Sequence, residues 1–531
     1  MMHCIVGSGP AGVACAHALR QRGAGVLMLD AGLELEPERV QVVRDLAAGR
    51  PSTWPPAQVA RLKEGMAAGA KGIPLKLLFG SDYPYRETEQ HIPWQGLGVG
   101  LRPSLALGGF STVWGAAMLP YRDADLDDWP IKCAELEKHY RAVASLTGLA
   151  AERDDLEELF PLHCDHPHPL QPSRQASLLL GNLNRHRAGL RERGWRFGRA
   201  RLALRAADTA QGPGCLYCGL CMYGCPYGCI YSSADTINGW RSDKKFTYQR
   251  DVIVTTLREQ AGQVIVEGFH RRTRAPLSFT ARRVYLAAGV IPTAQILLRS
   301  RGAYDRPLCL RDSQYYLFPL VLARRVRGVP SESLHTLSQL FIEICRPEIS
   351  RHTVHLQVYT YSDLIGQAVR KTFGPLARPL ELLARQLEER MVIIQGYLHS
   401  DESQTIALTL KRGAAGDADC LQVAAQPNPA TRRTVKRVLR EMLWQGRRLG
   451  GEVLPPMLQL AEPGRGFHNG GTFPMRQKPG EFESDCLGRP LGWSRVHAVD
   501  GTVLPSVPAT TITFSVMANA HRIGWEAAAL D

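Results

Sequence analysis

Five cysteines that lie close together in the sequence carry the clearest chemical potential of this chain. Thirteen cysteines occur among its 531 residues, and Cys215, Cys218, Cys221, Cys225 and Cys229 fall within one short stretch. Thiolates are strong ligands of soft metals, and a reducing compartment keeps such thiols from forming disulfides. The stretch therefore predicts a metal centre rather than a disulfide framework.

The spacing of these cysteines indicates which metal centre to expect. The first four follow the pattern C-x2-C-x2-C-x3-C, and Pro226 comes directly after Cys225. The pattern resembles the cysteine run of bacterial ferredoxins, and we predict Cys215, Cys218, Cys221 and Cys225 as ligands of a 4Fe-4S cluster. Cys229 is the alternative fourth ligand. A 3Fe-4S cluster, a structural zinc ion and a metal-free loop are the alternative interpretations.

A glycine-rich turn at the start of the chain is the second candidate site. The apolar run His3 to Val6 leads into Gly7-Ser8-Gly9-Pro10-Ala11-Gly12, and an alanine-rich helical stretch extends from Val13 to Arg20. A second apolar run, residues 26–29, ends at Asp30. This order of strand, turn, helix and strand predicts a Rossmann-like unit that binds a dinucleotide.

Each residue of this turn has a physical task in such a unit. Gly7 permits the tight turn, Gly9 lets the backbone approach a pyrophosphate, and Gly12 lets helix and strand pack closely. The helix N-terminus offers amide groups and the positive end of a dipole to the phosphates. Asp30 stands where an acidic residue holds a ribose hydroxyl.

His468 is the candidate acid–base residue, in the turn Phe467-His468-Asn469-Gly470-Gly471-Thr472. An unperturbed imidazole has a pKa near neutrality, so it can accept a proton from a substrate at physiological pH. A lone histidine in a glycine-rich turn is more often structural, and its assignment depends on the motifs around it.

Five blocks of sequence, taken in order, resemble the GMC (glucose-methanol-choline) flavoprotein oxidoreductases. The blocks span nearly the whole chain, and their shared order is more specific than any one of them. They are the N-terminal glycine turn, Leu107 to Gly115, Val284 to Gly289 with Thr293 to Ser300, His468 to Thr472, and Val499 to Thr502 with the stretch to Ile523.

The resemblance implies an FAD-dependent enzyme that oxidises a CH-OH group of an alcohol, sugar or polyol. It implies that His468 accepts the hydroxyl proton while the alcohol carbon transfers a hydride to the flavin. The residues it implies for cofactor binding are Gly7, Ser8, Gly9, Pro10, Ala11, Gly12, Asp30, Gly108, Gly109, Ser111, Trp114, Val252, Ala288, Gly289, Asp500 and Thr511.

The expected fold class is α/β with α+β elements: a Rossmann-like FAD-binding domain assembled from separate segments, and a substrate domain with an antiparallel sheet. The FAD-binding segments are 1–125, 211–310 and 462–531, and the second contains the cysteine cluster 215–229. Segment 126–210 is a substrate or cap segment, and 311–461 is the substrate-binding domain. Candidate substrate contacts on its strands are His355, Gln357, Tyr359, Gln395, Tyr397 and His399.

Two positions depart from the family pattern. Val507 stands where many relatives carry a second histidine or asparagine, so His468 would be the sole base and Thr511 would lie nearer the flavin. Trp114 stands where many relatives carry an asparagine beside the flavin. Both departures concern the substrate geometry more than the cofactor.

Composition and charge limit the partners. The formal net charge is +14, and arginines crowd between Arg185 and Arg205 around Trp195 and Phe197. We interpret this run mainly as a solvated face and expect no nucleic acid partner, because no nucleic-acid module accompanies it.

The basic amphipathic stretch from Leu364 to Met391 predicts a cap helix, with peripheral membrane contact as the alternative. No leader precedes the first strand, so the sequence favours a cytoplasmic protein.

The leading hypothesis is a dehydrogenase that passes electrons from flavin through the cluster to an acceptor still to be identified. The alternatives are an oxygen-using oxidase of the GMC type with a structural cysteine loop, an electron-transfer flavoprotein without alcohol chemistry, and a non-catalytic flavin-binding scaffold with structural zinc. Iron content and oxygen consumption separate the first two hypotheses.

Overall fold

A computed structural model describes residues 2–65, 75–96, 98–210, 212–374, 379–414 and 418–530. The strands are β1 His3–Val6, β2 Val26–Leu29, β3 Trp94–Gln95, β4 Trp195–Arg199, β5 Phe246–Gln249, β6 Val252–Gln260, β7 Gln263–His270, β8 Pro276–Ala281, β9 Arg283–Leu286, β10 Pro307–Asp312, β11 Tyr315–Leu322, β12 Leu340–Ile344, β13 Val354–Tyr359, β14 Met391–Tyr397, β15 Thr405–Lys411, β16 Cys420–Gln426, β17 Gly451–Val453, β18 Gln459–Leu460, β19 Asn469–Gly470 and β20 Val496–Ala498. The helices are α1 Pro10–Gln21, α2 Pro37–Ala47, α3 Pro56–Leu62, α4 Thr88–His91, α5 Cys133–Thr147, α6 Arg174–Arg185, α7 Arg187–Glu192, α8 Ser233–Trp240, α9 Val290–Ser300, α10 Asp363–Phe373, α11 Glu381–Glu388, α12 Pro429–Trp444, α13 Gly446–Leu449 and α14 Thr513–Ala527.

The first sheet is parallel, with the strand order β20-β9-β1-β2-β5. Its strands are short and almost wholly buried, as expected for a parallel sheet covered on both faces. They come from the beginning, the middle and the end of the chain. The α/β fold with a Rossmann-like parallel sheet is therefore confirmed.

Helix α1 covers this sheet and packs against α14, which in turn packs against α5. Alanines on α1 are buried against α14, and their small side chains let the two helices approach closely. Most residues of α14 are buried as well. The helix that follows the glycine turn, α1, is therefore packed tightly against α14, the last α-helix among the described residues.

The second large sheet is antiparallel and has the order β17-β11-β14-β13-β12-β4, with β18 also paired to β11. One face of β11, β13 and β14 packs into an apolar core that includes Leu179 of α6 and Val438 of α12. The other face looks into a cavity described below. This antiparallel sheet confirms the second part of the predicted fold class.

A third sheet is mixed, with antiparallel pairs except for the parallel pair of β16 and β3. Its order is β19-β10-β15-β16-β3, and β10 pairs with β19 directly after His468. A further sheet consists of β6, β7 and β8. The domain boundaries that the sequence suggested stay a prediction.

Pro51, Pro55, Pro56 and Pro74 predict a loop-rich region after Asp30, but this region contains α2 and α3, which begin at Pro37 and Pro56; Pro74 lies outside the described residues. The interpretation of the basic run is also wrong in detail. The basic run is not mainly a solvated face, because Trp195 and Phe197 are buried in β4. Its arginines pair with an acidic loop: Arg187 and Arg191 contact Asp155, and the buried Arg201 contacts Asp154.

Candidate functional site

The glycine turn opens onto a cavity of about 250 Å³ at the end of the parallel sheet. Gly7 has φ = 102°, a conformation that strains any residue with a side chain. A Cβ atom on Gly12 would lie 2.1 Å from the Gly7 carbonyl oxygen, so helix and turn tolerate only glycine there. A Cβ atom on Gly9 would meet no protein atom within 4 Å. The space beside Gly9 therefore belongs to the cavity.

Asp30 anchors the wall of this cavity at the end of β2. Its carboxylate accepts hydrogen bonds from the Ser8 hydroxyl at 2.7 Å and the Tyr248 hydroxyl at 2.9 Å. Burial raises the pKa of Asp30 to about 6, although these hydrogen bonds favour the charged form. The Ser8 hydroxyl also accepts from the Gly108 amide, at 2.9 Å, and so connects the two glycine turns.

The structure brings most of the predicted cofactor residues to this cavity. Gly12 and Gly108 do not line it, since Gly12 packs under the turn and Gly108 packs against Ala234. Asp500 accepts hydrogen bonds from the Gly289 amide and the Thr293 hydroxyl at the N-terminus of α9. The predicted residues that line the cavity are Gly7, Ser8, Gly9, Pro10, Ala11, Asp30, Gly109, Val252, Ala288, Gly289 and Asp500.

A second cavity, of about 530 Å³, adjoins the first. The two cavities share wall residues, and one wall of the second is the exposed face of the antiparallel sheet. The shared residues are Pro10, Phe110, Phe467 and Thr513. Predicted residues that line the second cavity are Ser111, Trp114, Gln357, Tyr359, Gln395, Tyr397, His468 and Thr511, whereas His355 and His399 lie outside its lining.

His468 lies where the two cavities meet. Its ring stacks on Tyr397 with 4.7 Å between centroids, and its Nδ1 atom is buried without a hydrogen-bond partner among the described residues. The ring lines the second cavity and Nδ1 is buried, so Nε2 is the nitrogen that can meet a ligand. Burial, reinforced by His355, lowers the pKa of His468 to about 3, so the imidazole is neutral at physiological pH.

The backbone around His468 is held in an unusual conformation. Phe467 has φ = 57°, in the left-handed region that non-glycine residues seldom adopt. Its ring centroid lies 4.9 Å from the ring centroid of Phe110. The His468 carbonyl accepts a hydrogen bond from Ser313, and Asn469 begins β19. Contacts on both sides therefore fix the imidazole in position.

Neither Val507 nor any nearby group in the described chain supplies a second base. Val507 is fully buried and exchanges backbone hydrogen bonds with Ser400, away from both cavities. Thr511 lines the second cavity, and its hydroxyl accepts a hydrogen bond from the Leu119 amide at 3.2 Å. Trp114 also lines this cavity and donates through Nε1 to the Tyr231 carbonyl.

The cysteine loop forms part of the wall of the second cavity. Met222, from the middle of the loop, lines the cavity together with Thr336, whose amide donates to the Cys221 sulfur at 3.4 Å. Burial raises the pKa of the Cys215 thiol to about 12 and also raises the pKa values of Cys218 and Cys221, while the backbone amides of Tyr217 and Leu220 oppose the shift at Cys215 and Cys218. Amide donors of this kind stabilise thiolates that bind a metal.

The two candidates for the fourth ligand differ in their surroundings. Cys225 accepts a hydrogen bond from the Cys229 amide at 3.3 Å, and contact with Cys229 lowers the pKa of the Cys225 thiol to about 6. Cys229 instead donates to the Pro213 carbonyl at 3.5 Å, and its pKa is raised. Cys225 therefore accepts a hydrogen bond, which favours a thiolate, whereas Cys229 acts as a donor.

Sequence reasoning missed Lys76, which lies between the cysteine loop and the second cavity. Its Nζ atom donates to the Trp114 carbonyl at 3.0 Å, and burial lowers its pKa to about 8, against the opposing effect of Cys221 and Cys225. It also missed Arg465, whose guanidinium lies 5.3 Å from the Phe467 ring centroid. Neither residue stands in a motif, so no local signal was present to find them.

Helices α10 and α11 cover the second cavity through Ile365, Val369 and Leu387. Leu364 of α10 also lies in one apolar cluster with Leu220 and Tyr223 of the cysteine loop. The outer surface of the two helices exposes Leu382 and Leu383, which are 79% and 51% accessible. In the part of the chain that the structure describes, no helix is long and apolar enough to cross a membrane.

Comparisons with known proteins agree with this architecture. A family model described as an NAD(P)-binding Rossmann-like domain matches residues 5–35. Comparison with curated proteins gives no match. Among the 564 solved chains that match is pyridoxine 4-oxidase from Mesorbium loti, with a TM-score of 0.60 and 15% sequence identity over 99% of this chain and 98% of that one. This likeness shows a shared fold along nearly all of both chains.

Proposed function

We propose that this protein is an FAD-dependent oxidoreductase of the GMC type that oxidises the CH-OH group of an alcohol. The observation that carries the proposal is the position of His468, whose neutral ring faces a substrate-sized cavity next to the glycine-turn cavity. The fold it shares with a protein named pyridoxine 4-oxidase supports an alcohol as the substrate.

The residues around the first cavity fit the ADP half of FAD. The open space beside Gly9 suits a pyrophosphate, and the amides at the start of α1 point toward it. Asp30 has lone pairs left for a ribose hydroxyl after bonding Ser8 and Tyr248. Phe110 and Thr513, shared by both cavities, border the passage through which the flavin ring would extend. FAD, when bound, supplies the acceptor for a hydride.

His468 supplies the proton acceptor for this oxidation. The alcohol loses the hydride from its carbon and the proton from its hydroxyl, and a carbonyl group forms. The proton goes to Nε2 of His468. Burial lowers the pKa of this imidazole to about 3, below the near-neutral value that the sequence suggested, so the ring is a weak base that releases the proton readily. With Val507 buried elsewhere, His468 acts as the sole base.

The spacing of the cysteines supports an iron-sulfur cluster in this loop, because the first four follow the bacterial ferredoxin pattern. A structural zinc ion is the alternative. We assign Cys215, Cys218, Cys221 and Cys225 as ligands of the cluster. Lys76 offsets part of the negative charge.

A cluster in this loop, when bound, would carry single electrons, which favours a dehydrogenase over an oxidase. The loop forms part of the wall of the second cavity, so its distance from the reaction site is short. Electrons would then pass from the substrate, through the flavin, to the cluster held by the cysteines. An oxygen-using oxidase with a structural loop is the second candidate, favoured by the structural likeness to pyridoxine 4-oxidase.

The first experiment is an anaerobic spectrum of the purified protein, with iron, sulfide and zinc assayed on the same sample. Flavin bands with about four irons per chain support the dehydrogenase. Flavin without iron, together with hydrogen peroxide production, supports the oxidase instead. Zinc without flavin reduction by any alcohol would contradict both.

The role of His468 is tested by His468→Asn, with His168→Asn as the matched control on an exposed loop. We expect His468→Asn to retain FAD and to lower the rate of flavin reduction by an alcohol by about 100-fold or more. The control variant should reduce at the parent rate. Equal rates for all three proteins would remove His468 from the reaction and favour an electron-transfer flavoprotein.

A further inference from the structure

The side chains that line the second cavity change from aromatic and polar to apolar along the antiparallel sheet. Cross-strand rows of side chains face the cavity, because alternate residues of each strand point to the same side. Nearest His468 the row is aromatic, the next row contains two glutamines, and the third and fourth rows are largely apolar. The rows are Tyr315 with Tyr397, then Leu317 with Gln395 and Gln357, then Pro319 with Ile393 and Tyr359, and finally Met391.

The apolar end of this face is covered by apolar side chains from other elements. Ile365, Val369 and Leu387 of α10 and α11 lie over Ile393 and Met391 in one cluster. Leu454 and Met457, from the segment after β17, line the same end. The far end of the cavity is therefore lined mainly by apolar side chains, although it is open to solvent, since Ala368 and Thr372 of α10 are exposed and Met457 is 42% exposed.

Charged groups stay at the near end of the cavity. Among the described lining residues, only Lys76 and Arg465 carry a full charge, and no carboxylate is present. Lys76 contacts Trp114 on the cysteine-loop side, and Arg465 lies over Phe467 beside the first cavity. The polar end thus faces the cofactor side, and the apolar end is left for the body of a substrate.

The strands set the length of the path from His468 to the apolar end. Met391 and Tyr397 are six residues apart on β14, which corresponds to roughly 20 Å of extended strand. From the row at His468 to Ile393 the path is about 13 Å, and it passes the row of Gln357 and Gln395. A hydroxyl placed at His468 would leave a chain or ring system that passes the glutamines and ends in the apolar part.

We propose that the substrate is an elongated, largely apolar alcohol, with its hydroxyl at His468 and its body extending along β11 and β14 toward Met391. This inference rests on the proposed function. A sugar or polyol, which the sequence left open, would bury several hydroxyl groups against Ile393 and Met391, where few partners exist. Each unpaired hydroxyl weakens binding, so such substrates are disfavoured.

The test is a chain-length series of primary alcohols from propanol to decanol, with glucose and sorbitol as polar comparisons. The FAD-loaded enzyme is assayed with ferricyanide as the electron acceptor. We expect kcat/KM to rise by up to about fourfold for each added methylene until the cavity is filled. A flat series, or faster oxidation of glucose or sorbitol than of any alkanol, would overturn the inference and leave the alcohol-oxidising function intact.

A binding readout separates this inference from the proposed function. Tertiary alcohols with long alkyl chains lack the carbon-bound hydrogen, so they can bind without being oxidised, and binding is followed by the shift of the flavin spectrum. Length-dependent binding without oxidation of any primary alcohol would uphold an apolar ligand site and overturn the proposed function. Absence of length dependence in binding would overturn the inference itself.

A pair of variants on α10 tests the location of the apolar body. Ala368→Phe adds a ring to an exposed residue that lines the apolar end of the cavity, whereas Gln367→Phe adds the same ring to the adjacent exposed residue, which is outside the lining. We expect Ala368→Phe to lower kcat/KM for decanol at least tenfold and to leave propanol nearly unchanged. Gln367→Phe should behave as the parent. An unchanged length profile in Ala368→Phe would overturn the assignment of this end.

Discussion

Substitution of Gly12 and Gly9 by alanine should separate the stability of the fold from binding of the cofactor. In Gly12→Ala the new Cβ atom would lie 2.1 Å from the Gly7 carbonyl oxygen and 3.3 Å from the Ala287 Cβ atom. An ordinary contact needs about 3.4 Å, so α1 and the turn must move apart by more than 1 Å. Overpacking of this kind costs up to about 3 kcal/mol, and the higher helix propensity of alanine returns less than 1 kcal/mol.

The expected change in melting temperature follows from the size of the protein. With about 2.1 cal/mol/K of unfolding entropy per residue, a chain of 531 residues loses roughly 1 °C for each kcal/mol. Gly12→Ala should therefore lower the melting temperature of the FAD-free protein by about 2 °C. In Gly9→Ala no protein atom lies within 4 Å of the new methyl group, so the FAD-free protein should melt at the parent temperature.

Cofactor binding should show the opposite order of sensitivity. The Gly9→Ala methyl group projects into the first cavity, where we expect it to raise the Kd for FAD at least tenfold in a calorimetric titration. Thermal melts of the FAD-free proteins, followed by tryptophan fluorescence, provide the second measurement. If Gly9→Ala lowered the melting temperature while Gly12→Ala did not, the packing argument would be refuted.

Three further predictions follow from the described residues. The kcat/KM for flavin reduction should stay constant from pH 8 down to about pH 4.5, because the base must be neutral and the pKa of His468 is about 3; an acid limb near pH 6.5 in stopped-flow assays would contradict this. Burial raises the pKa of Asp312 to about 8, so the folded state holds a proton that the unfolded chain has lost, and stability should fall as pH rises from about 4 to 8; Asp312→Asn should flatten this dependence in denaturant titrations. If the exposed leucines of the α10–α11 cover touch a lipid surface, Leu382→Ser should reduce flotation with anionic liposomes, and equal flotation of variant and parent would remove the membrane contact.

Local sequence signals predicted the elements that short-range forces define. The turn from Gly7 to Gly12, the strand ending at Asp30 and the helix after Gly289 all follow from residues within a few positions of one another. The secondary structure near prolines was harder to predict, because a proline at the first position of a helix is also typical of a loop. Pro37 and Pro56 begin helices in this way.

Tertiary context decided what the sequence left ambiguous. The alternation of apolar and polar residues over 353–359 predicts a half-buried strand, and residues 391–398 form a second apolar run. Neither pattern tells which face of its strand meets the core. The pairing of Gln357 with Gln395, and of Tyr359 with Ile393, defines the cavity face and its gradient from polar to apolar. The same limit applies to Trp195, whose arginine neighbours suggested solvent although its ring is buried beside Glu441.

The largest consequence of this context is the physical connection between the cysteine loop and the second cavity. Spacing alone indicated a metal centre, and nothing local indicated that Met222 would line the cavity beside Trp114. The loop reaches this place through non-local contacts: the Gly219 amide bonds the Leu334 carbonyl, and the Thr336 amide bonds the Cys221 sulfur. A change in the loop therefore moves part of the cavity wall, so a metal held there would contribute to the shape of the substrate site as well as to electron transfer.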